Sequence, residues 1–419
     1  MRAARVRQNA RVTELTRRLG LNLMRPRDPR EPGRASSPLE AFFDLVFVVA
    51  VSLASGQLHH AETGHDPGQG ILMYGLVFFA IWWAWMNFTW FATAFDTDDW
   101  WYRVVTLVQM GGALVMAAGA GPAMGAGDMT VMIVGYVIMR LALVSQWLRA
   151  AAASPELRGT AVRYAIGVAV VQALWMGLPA VPRSFFAPVC FVLILAELAV
   201  PVLAERHRQT PWHAGHIAER YGLFTLIVLG ESVLASTNAV VDALGHAEHI
   251  APLLAISACG LVLAFGMWWI YFSREHDEHI TTLPKALRFG YGHYAIFAAA
   301  GAFSAGIEVA IDVDTNEAGL AAAAAAATVT VPVALFVLGT WFITLRHTLS
   351  PLVNAVVAGL AVAIGLAAFA PASLALAAAG VVAIVVVLEL PGVRARAAAV
   401  SAAEDADAGD SMDAAGEPR

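Results

Sequence analysis

Long apolar blocks, separated by short polar connections, dominate the pattern of hydrophobic and polar positions along this chain. Each block runs for about 20 residues, the length that a helix needs to cross the hydrocarbon core of a membrane. The pattern therefore predicts an all-α polytopic membrane protein with about twelve transmembrane helices. We place them at residues 38–58, 71–94, 103–121, 129–149, 161–180, 185–204, 221–241, 251–272, 288–309, 319–345, 351–369 and 373–390.

The first apolar segment has a well-marked helix start. Ser37 is a suitable N-cap, Pro38 takes the first helical position, and Glu40 falls where a capping box places its acid. Glu40 and Asp44 are four residues apart, so both lie on one face of the helix. A comparable stretch opens the seventh segment, so we expect two halves that each begin with such a helix.

Composition agrees with a membrane protein. The chain is 59% hydrophobic and 14% charged, with a mean hydropathy of +0.65, whereas soluble domains are roughly 25% charged. Cys190 and Cys259 both fall inside apolar segments, which indicates neither a disulfide framework nor a thiolate metal site. Nucleic acid is not a plausible partner for a chain that consists mostly of membrane spans.

Positive charge predicts the topology, because cytoplasmic connections of membrane proteins are rich in arginine and lysine. With a cytoplasmic N-terminus, the outside connections of a twelve-span chain contain only Arg183. The sequence thus predicts a multi-pass protein of the cell (cytoplasmic) membrane with both termini in the cytoplasm. The inside connections contain Arg103, Arg149, Arg158, Arg163, Arg206, Arg208, Arg220, Arg274, Lys285, Arg288, Arg346, Arg394 and Arg396.

Three landmarks recur in the second half at similar offsets. Glu40 matches Glu219, Trp82-Trp83 matches Trp268-Trp269, and Arg103 matches Arg288, at offsets of 179, 186 and 185 residues. They predict two parallel six-helix repeats related by an axis along the membrane normal. The predicted organisation is an Arg-rich cytoplasmic N-terminal segment, a first repeat, a cytoplasmic linker, a second repeat and an acidic disordered tail, at residues 1–36, 37–204, 205–218, 219–390 and 391–419.

The N-terminal segment has two possible interpretations. It lacks an apolar core followed by a cleavage site, so it is not a signal peptide. It could lie on the membrane as a basic helix with Val6, Leu15 and Leu19 inserted, or it could be a solvated tail that only sets the topology.

Ionisable residues inside apolar segments need a physical reason, because they cost free energy in hydrocarbon. We single out Glu40, Asp44, Arg140 and Glu231 as candidates for an ion or substrate pathway. Each has a structural alternative: Glu40 as a helix cap, and Asp44 as the ion-pair partner of Arg140. Glu231 is the strongest functional candidate, because Gly230 beside it would allow a backbone or an ion to approach. Glu197, nearer the cytoplasmic end of its span, we interpret as structural.

A second group of charges is predicted at a cytoplasmic mouth. These residues could gather cations, or the aspartates could simply interact with the neighbouring arginine. No His-Glu-x-x-His motif, Gly-rich phosphate loop, nucleophile elbow or Ser-His-Asp set is present, so we assign no catalytic residue, no metal site and no cofactor. The residues of the predicted mouth are Asp96, Asp98, Asp99, Arg103, Glu219 and Arg220.

Two long motifs carry a family resemblance. The stretch from Pro38 through Glu40 and Asp44 to Ala50, and the stretch from Glu219 to Ser232, resemble the bacterial low temperature requirement A family. The likeness continues at Asp96-Thr-Asp-Asp99 and at Arg140, and covers roughly residues 37–390. The resemblance implies a role in growth in the cold but supplies no reaction.

A fainter resemblance is to the two-repeat endolysosomal potassium channels, whose repeats open with a Phe-Ser-Asp-Gly helix. Phe43 and Leu45 here replace the serine and the glycine of that motif.

These observations favour a transporter or channel for an ion or small solute, with a pathway between the two repeats. Asp44 and Glu231 would bind a cation or proton, with Arg140 as their charge partner. The alternative is a non-transporting scaffold or stress and cold-adaptation factor whose buried charges are structural. A membrane-embedded enzyme would require His213, His216 and Glu219 to converge, and we do not predict one. The expected partners are the lipid bilayer and an unidentified ion or small solute, and the oligomeric state is left open.

Overall fold

The computed structural model describes residues 20–29, 31–64, 66–245, 250–274 and 280–400, and within these ranges the regular structure is helical, without strands. Each predicted apolar segment is occupied by a helix. In chain order the helices are α1 (Pro38–Glu62), α2 (Pro67–Phe95), α3 (Trp100–Ala118), α4 (Ala120–Ala126), α5 (Thr130–Ala153), α6 (Arg158–Met176), α7 (Phe186–Glu205), α8 (Ala214–Gly245), α9 (Ile250–Tyr271), α10 (Leu283–Asp314), α11 (Ala322–Thr340), α12 (Pro351–Leu366), α13 (Ser373–Glu389) and α14 (Pro391–Val400).

Within the described ranges, ten helical stretches are long and apolar enough to cross a membrane. The helices α13 and α14 meet at a bend of 62° and could form an eleventh span. The helix of the seventh predicted segment, α8, is not among them, although it has 32 residues. It carries charges at Glu219, Arg220 and Glu231. The protein is thus a multi-pass membrane protein with ten or eleven candidate spans, and the twelve-helix, two-repeat arrangement stays a prediction.

The chain divides into two compact units. The first comprises residues 1–54 and 72–220, so it takes most of α1 and only the first turns of α8. Its core is aromatic: Trp82, Trp83 and Trp85 of α2 are fully buried. The helices α3 and α5 approach so closely that a Cβ on Gly135 would lie 2.3 Å from the Met116 nitrogen, which explains why glycine occupies that position.

The second unit comprises residues 55–71 and 221–419. Its largest helix pair is α10 and α11, whose backbones meet at Gly306, where a Cβ would lie 2.1 Å from the Thr328 carbonyl oxygen. Trp268 and Trp269 of α9 are 44% and 46% exposed. They were matched by position with Trp82 and Trp83, yet those two side chains are buried in the core of the first unit.

The described residues before α1, which are 20–29 and 31–37, are not helical. The Met24 side chain is buried, the Arg27 backbone N–H donates to the Ala94 carbonyl at 3.0 Å, and the Arg34 guanidinium donates to the Ala92 carbonyl at 3.0 Å. We call residues 20–36 the N-terminal strap. The predicted surface helix with Val6, Leu15 and Leu19 lies outside the described residues.

The predicted disordered tail begins as a helix, because its first ten residues form α14. The rest of that tail, residues 401–419, lies outside the described part of the chain.

Candidate functional site

The first unit contains a buried group of four ionisable side chains, Glu40, Asp44, His216 and Arg220, which we call the α1–α8 ion cluster. The two carboxylates stand one turn apart on α1, and the two basic residues stand one turn apart on α8. All four side chains are at most 1% exposed. An acidic pair and a basic pair with the same helical spacing thus face each other.

Local capping places both pairs. The Ser37 N–H donates to Glu40 Oε2 at 2.8 Å, and the Glu40 N–H donates to Ser37 Oγ at 3.3 Å, which is the predicted capping box. At the start of α8, His213 Nδ1 accepts the His216 N–H at 3.1 Å. Both helix starts are therefore fixed by side chains, so the charged residues one turn further on have defined positions.

Glu40 is more than a cap. Its Oε1 lies 3.0 Å from Arg220 Nη1 and 3.1 Å from His216 Nε2. The His216 Nδ1 atom has no hydrogen-bond partner in the described part of the chain. Glu40 thus caps the start of α1 with one carboxylate oxygen and contacts Arg220 and His216 with the other. Its role as a helix cap therefore does not exclude a role in the ion cluster.

Asp44 is bound on both oxygens. Arg220 donates to it through Nε at 2.9 Å and through Nη2 at 2.6 Å, and the Trp85 indole N–H donates at 2.6 Å. Such a two-bond fork between a guanidinium and a carboxylate is the strongest form of ion pair in proteins. The predicted pairing of Asp44 with Arg140 is wrong, because Arg220 holds this place.

The charges within this cluster do not balance when His216 is neutral. Two carboxylates, Glu40 and Asp44, face one guanidinium, Arg220, so one negative charge is left within the cluster, and a single proton on His216 would neutralise it. The charge of Glu40 also acts on Arg27, Arg34 and Asp96 outside the cluster.

Arg140 forms a separate buried ion pair. Its Nη2 lies 3.1 Å from Glu197 Oε2, which also accepts the Trp83 indole N–H at 2.8 Å. Tyr136 completes the group, because its hydroxyl contacts both Arg140 and Glu197. The expectation that Arg140 has an acidic partner is confirmed, but the partner is Glu197. Among the described residues only the Nη2 atom of Arg140 has hydrogen-bond partners, and Nε and Nη1 are buried without one. No contact of Arg140 with Asp44 or Glu231 is found in the described part of the chain, so its role as their charge partner stays a prediction.

Two aspartates of the predicted cytoplasmic mouth bind the N-terminal strap. Asp96 pairs with Arg27 at 2.8 Å. Burial raises the pKa of Asp96, and the nearby Glu40 carboxylate adds to this effect, against the opposing charge of Arg27. Asp99 accepts the Tyr102 N–H as N-cap of α3, accepts the Asn22 N–H at 2.9 Å and pairs with Arg149.

The other predicted mouth residues have separate partners. Asp98 and Arg103 form an exposed pair with hydrogen bonds of 2.6 Å and 2.9 Å, and this guanidinium lowers the pKa of Asp98. Glu219 Oε2 accepts the Ser36 N–H at 3.1 Å. Arg220 lies in the buried cluster rather than with the exposed mouth residues.

Glu231 lies on the part of α8 that belongs to the second unit. Its side chain is half-buried, and its charge acts on Glu308 of α10. Gly230 beside it has no atom within 4 Å of an added Cβ. The close approach predicted at this glycine is therefore not observed among the described residues.

Sequence reasoning missed His216 as a member of the site and placed Arg220 elsewhere. The available signal was the spacing, because His216 and Arg220 repeat on α8 the four-residue interval of Glu40 and Asp44 on α1. The three residues tested for a converging enzyme site engage different groups. His213 Nε2 contacts the Glu31 carbonyl at 3.0 Å, His216 contacts Glu40, and Glu219 binds the Ser36 N–H.

A metal centre finds no support in the described residues, where no three His, Cys, Asp or Glu side chains are grouped to hold an ion. The histidine-rich stretch at residues 276–279 lies outside them.

Comparison with known proteins locates this chain among bacterial membrane proteins. A relative in Rhizobium meliloti (strain 1021), named uncharacterized protein RA0937, is 30% identical over 284 residues. That match covers 63% of this chain and 66% of the relative, slightly under two thirds of its length. The family described as bacterial low temperature requirement A protein (LtrA) matches residues 35–388, which include the α1–α8 ion cluster, Arg140 and Glu231. This chain therefore belongs to the bacterial low temperature requirement A protein family.

Proposed function

We propose that this protein carries an ion or small solute across the cytoplasmic membrane and that the α1–α8 ion cluster binds a proton during the cycle. The single observation that carries the proposal is the unbalanced charge of that cluster. A membrane protein that needed only helix packing would be expected to match its buried charges, because an uncompensated buried charge is costly. A cluster that binds and releases one proton, by contrast, needs one uncompensated negative charge.

His216 is the proposed proton acceptor. It is fully buried, its Nε2 faces Glu40, and its Nδ1 has no hydrogen-bond partner among the described residues. A neutral imidazole changes charge more readily than a guanidinium, because an arginine does not lose its proton in proteins. Arg220 would thus be the fixed charge and the Glu40–His216 pair the variable one. Glu231 remains a proposed cation- or proton-binding carboxylate of the second unit.

The proposed orientation has both termini in the cytoplasm, and the distribution of arginine and lysine along the chain supports it. The proposed activity is transport rather than catalysis, and the proposed partners are the bilayer and the transported species.

The test is proton flux into proteoliposomes that hold the purified full-length protein, followed with an entrapped pH dye under an imposed membrane potential. Wild type, His216→Gln and His207→Gln are compared. His207 is a matched control, because it is an exposed histidine in the connection between α7 and α8. We expect flux in the wild type and in His207→Gln, and its loss in a His216→Gln protein that keeps its wild-type thermal stability.

Two results would oppose the proposal. Flux that persists unchanged in His216→Gln would remove the cluster from the pathway. An absence of flux in a folded wild type, with protons and with the common alkali cations, would favour the second candidate.

That second candidate is a non-transporting membrane scaffold or stress factor. A specific observation favours it: the Arg140–Glu197 pair is fully buried, and Glu197 also accepts hydrogen bonds from the Trp83 indole and the Tyr136 hydroxyl. Buried ion pairs of this kind stabilise helix packing and require no transported ion or solute. Under this hypothesis His216→Gln would change the unfolding temperature and leave every flux at the level of empty liposomes.

A further inference from the structure

A second group of titratable residues lies entirely within the second unit, at the end of α1. His59 Nε2 is 2.6 Å from Asp312 Oδ2, and His59 Nδ1 is 3.3 Å from Glu308 Oε2. Glu308 and Asp312 are one turn apart on α10, so both carboxylates reach the same imidazole. We call these three residues the His59 site. The sequence patterns did not indicate Glu308 or Asp312, because both lie near the end of a helix where charges are ordinary.

The two contacts constrain the protonation of the site. A neutral imidazole carries one N–H and one lone pair, so it can donate to only one of two carboxylates. The other nitrogen would then present its lone pair to a carboxylate oxygen, which is repulsive unless a proton lies between them. Both contacts are therefore favourable only when the site holds one additional proton, beyond a neutral His59 and the ionised carboxylates of Glu308 and Asp312.

Of the two neighbouring ionisable groups, Glu231 makes this additional proton more favourable, whereas a positive charge on His60 opposes it. Glu231 of α8 adds a third negative charge that acts on Glu308. His60, whose ring centroid lies 5.0 Å from that of His59, also faces Glu308. The side chains of His59, Asp312 and Glu308 are 14%, 24% and 37% exposed. A site this open can exchange a proton with water, yet it is buried enough for its charges to interact strongly.

We propose that His59, Glu308 and Asp312 form a proton-binding site in which an imidazolium bridges the two carboxylates at neutral pH. The ligand is a proton, and the groups that face it are Glu308 and Asp312 on α10, Glu231 on α8 and His60 on α1. A relay from this site through Glu308 to Glu231 would deepen the proposed transport function and rests on it. The binding of a proton at the His59 site does not depend on the proposed transport function.

The experiment is nitrogen NMR of the full-length protein in lipid nanodiscs, with all 12 histidines labelled with ¹⁵N. Imidazolium nitrogens and the two nitrogens of a neutral ring have well-separated shifts. At pH 7.5 we expect one imidazolium signal set that disappears in His59→Gln and persists in the exposed control His207→Gln. Glu308→Gln and Asp312→Asn should each convert that set to the neutral pattern at this pH.

Any of three results would overturn the proposal: a neutral pattern for His59 at pH 7.5, no imidazolium set in the wild type, or an imidazolium that survives in both Glu308→Gln and Asp312→Asn. The spectra of the wild type and of His59→Gln decide the first two without relying on the folding of a carboxylate variant. The test is also separate from the flux assay. If His59 is an imidazolium but the protein shows no flux, the proton-binding site is supported and the transport proposal is rejected. If the protein shows flux but His59 is neutral, transport is supported and the proton-binding site is rejected.

Discussion

Arg220 binds Asp44 through two hydrogen bonds while its third nitrogen lies 3.0 Å from Glu40, so one guanidinium serves both carboxylates of α1. The residues come from stretches 176 positions apart in the chain. Because all three charges are excluded from solvent, each depends on the others for its stability. The stability of the start of α1 is therefore coupled to that of the start of α8.

Arg220→Gln should therefore be among the most destabilising single substitutions in the first unit. It leaves two buried carboxylates without their cation, and breaking a buried pair in this way costs about 3–5 kcal/mol. The measurement is thermal and denaturant unfolding of the protein in lipid nanodiscs.

The double variant Arg220→Gln/Asp44→Asn is the informative comparison, because it removes one charge of each sign. It should recover a substantial part of the loss. Glu156→Gln, which removes an exposed partner of Arg208, should leave the unfolding midpoint almost unchanged. A double variant that is less stable than Arg220→Gln alone would contradict the charge-compensation argument.

Glu197→Gln tests the second buried pair. The glutamine can still accept the Trp83 indole N–H, but Arg140 loses its counter-charge, so we expect a loss of about 3–5 kcal/mol. Because Arg140 contacts no residue of the α1–α8 ion cluster among the described contacts, proton flux per folded molecule should be unchanged. Flux assays on stability-matched preparations would check this, and a selective loss of flux would restore Arg140 to the pathway.

The sequence correctly predicted the features that depend on the residues of a single helix. The apolar blocks located the helices, and the capping box at Ser37 and Glu40 is present as predicted. The need for an acidic partner at Arg140 also followed from burial alone. Partner choice could not be read in this way, because Asp44 had two possible arginines, one in an apolar segment and one in an apparent loop.

The start of α8 explains the error at Arg220. The sequence placed a cytoplasmic linker at residues 205–218 and read Arg220 as part of an exposed mouth. The helix starts at Ala214 instead, capped by His213, so that Arg220 lies almost two turns inside it and is fully buried. A histidine cap has no strong sequence signature, which is why this boundary was missed.

Gly306→Ala should separate α10 from α11. The added Cβ would lie 2.1 Å from the Thr328 carbonyl oxygen, a backbone atom that cannot move alone. Small residues allow membrane helices to pack closely, and overpacking typically costs about 1–3 kcal/mol. Gly359→Ala on α12 is the matched control, because nothing lies within 4 Å of its added Cβ. Unfolding temperatures should fall for Gly306→Ala and stay level or rise for Gly359→Ala. Equal effects would mean that the α10–α11 contact is looser than described.

Asp99 should give the attachment of the N-terminal strap a defined pH dependence. Burial alone would raise its pKa, but the hydrogen bonds from Arg149 and from the Tyr102 and Asn22 N–H groups outweigh burial, so the pKa lies below its ordinary value of 3.8. Because the folded protein favours the ionised form, this carboxylate stabilises the fold above about pH 3.8, and the contribution is lost as the pH falls through the lowered pKa.

Asp99→Asn should accordingly cost about 1.5–3 kcal/mol at pH 7, the usual contribution of a hydrogen bond to a charged group. The asparagine still caps α3, so the loss reports the contact with Arg149 and Asn22 rather than the helix start. Protease cleavage within residues 20–36 should become faster at neutral pH, whereas Asp98→Asn, at an exposed neighbour, should cleave at the wild-type rate. The difference in unfolding midpoint between wild type and Asp99→Asn should shrink as the pH is lowered below 3.8. A difference that stays constant across that range would show that the charge of Asp99 does not hold the strap.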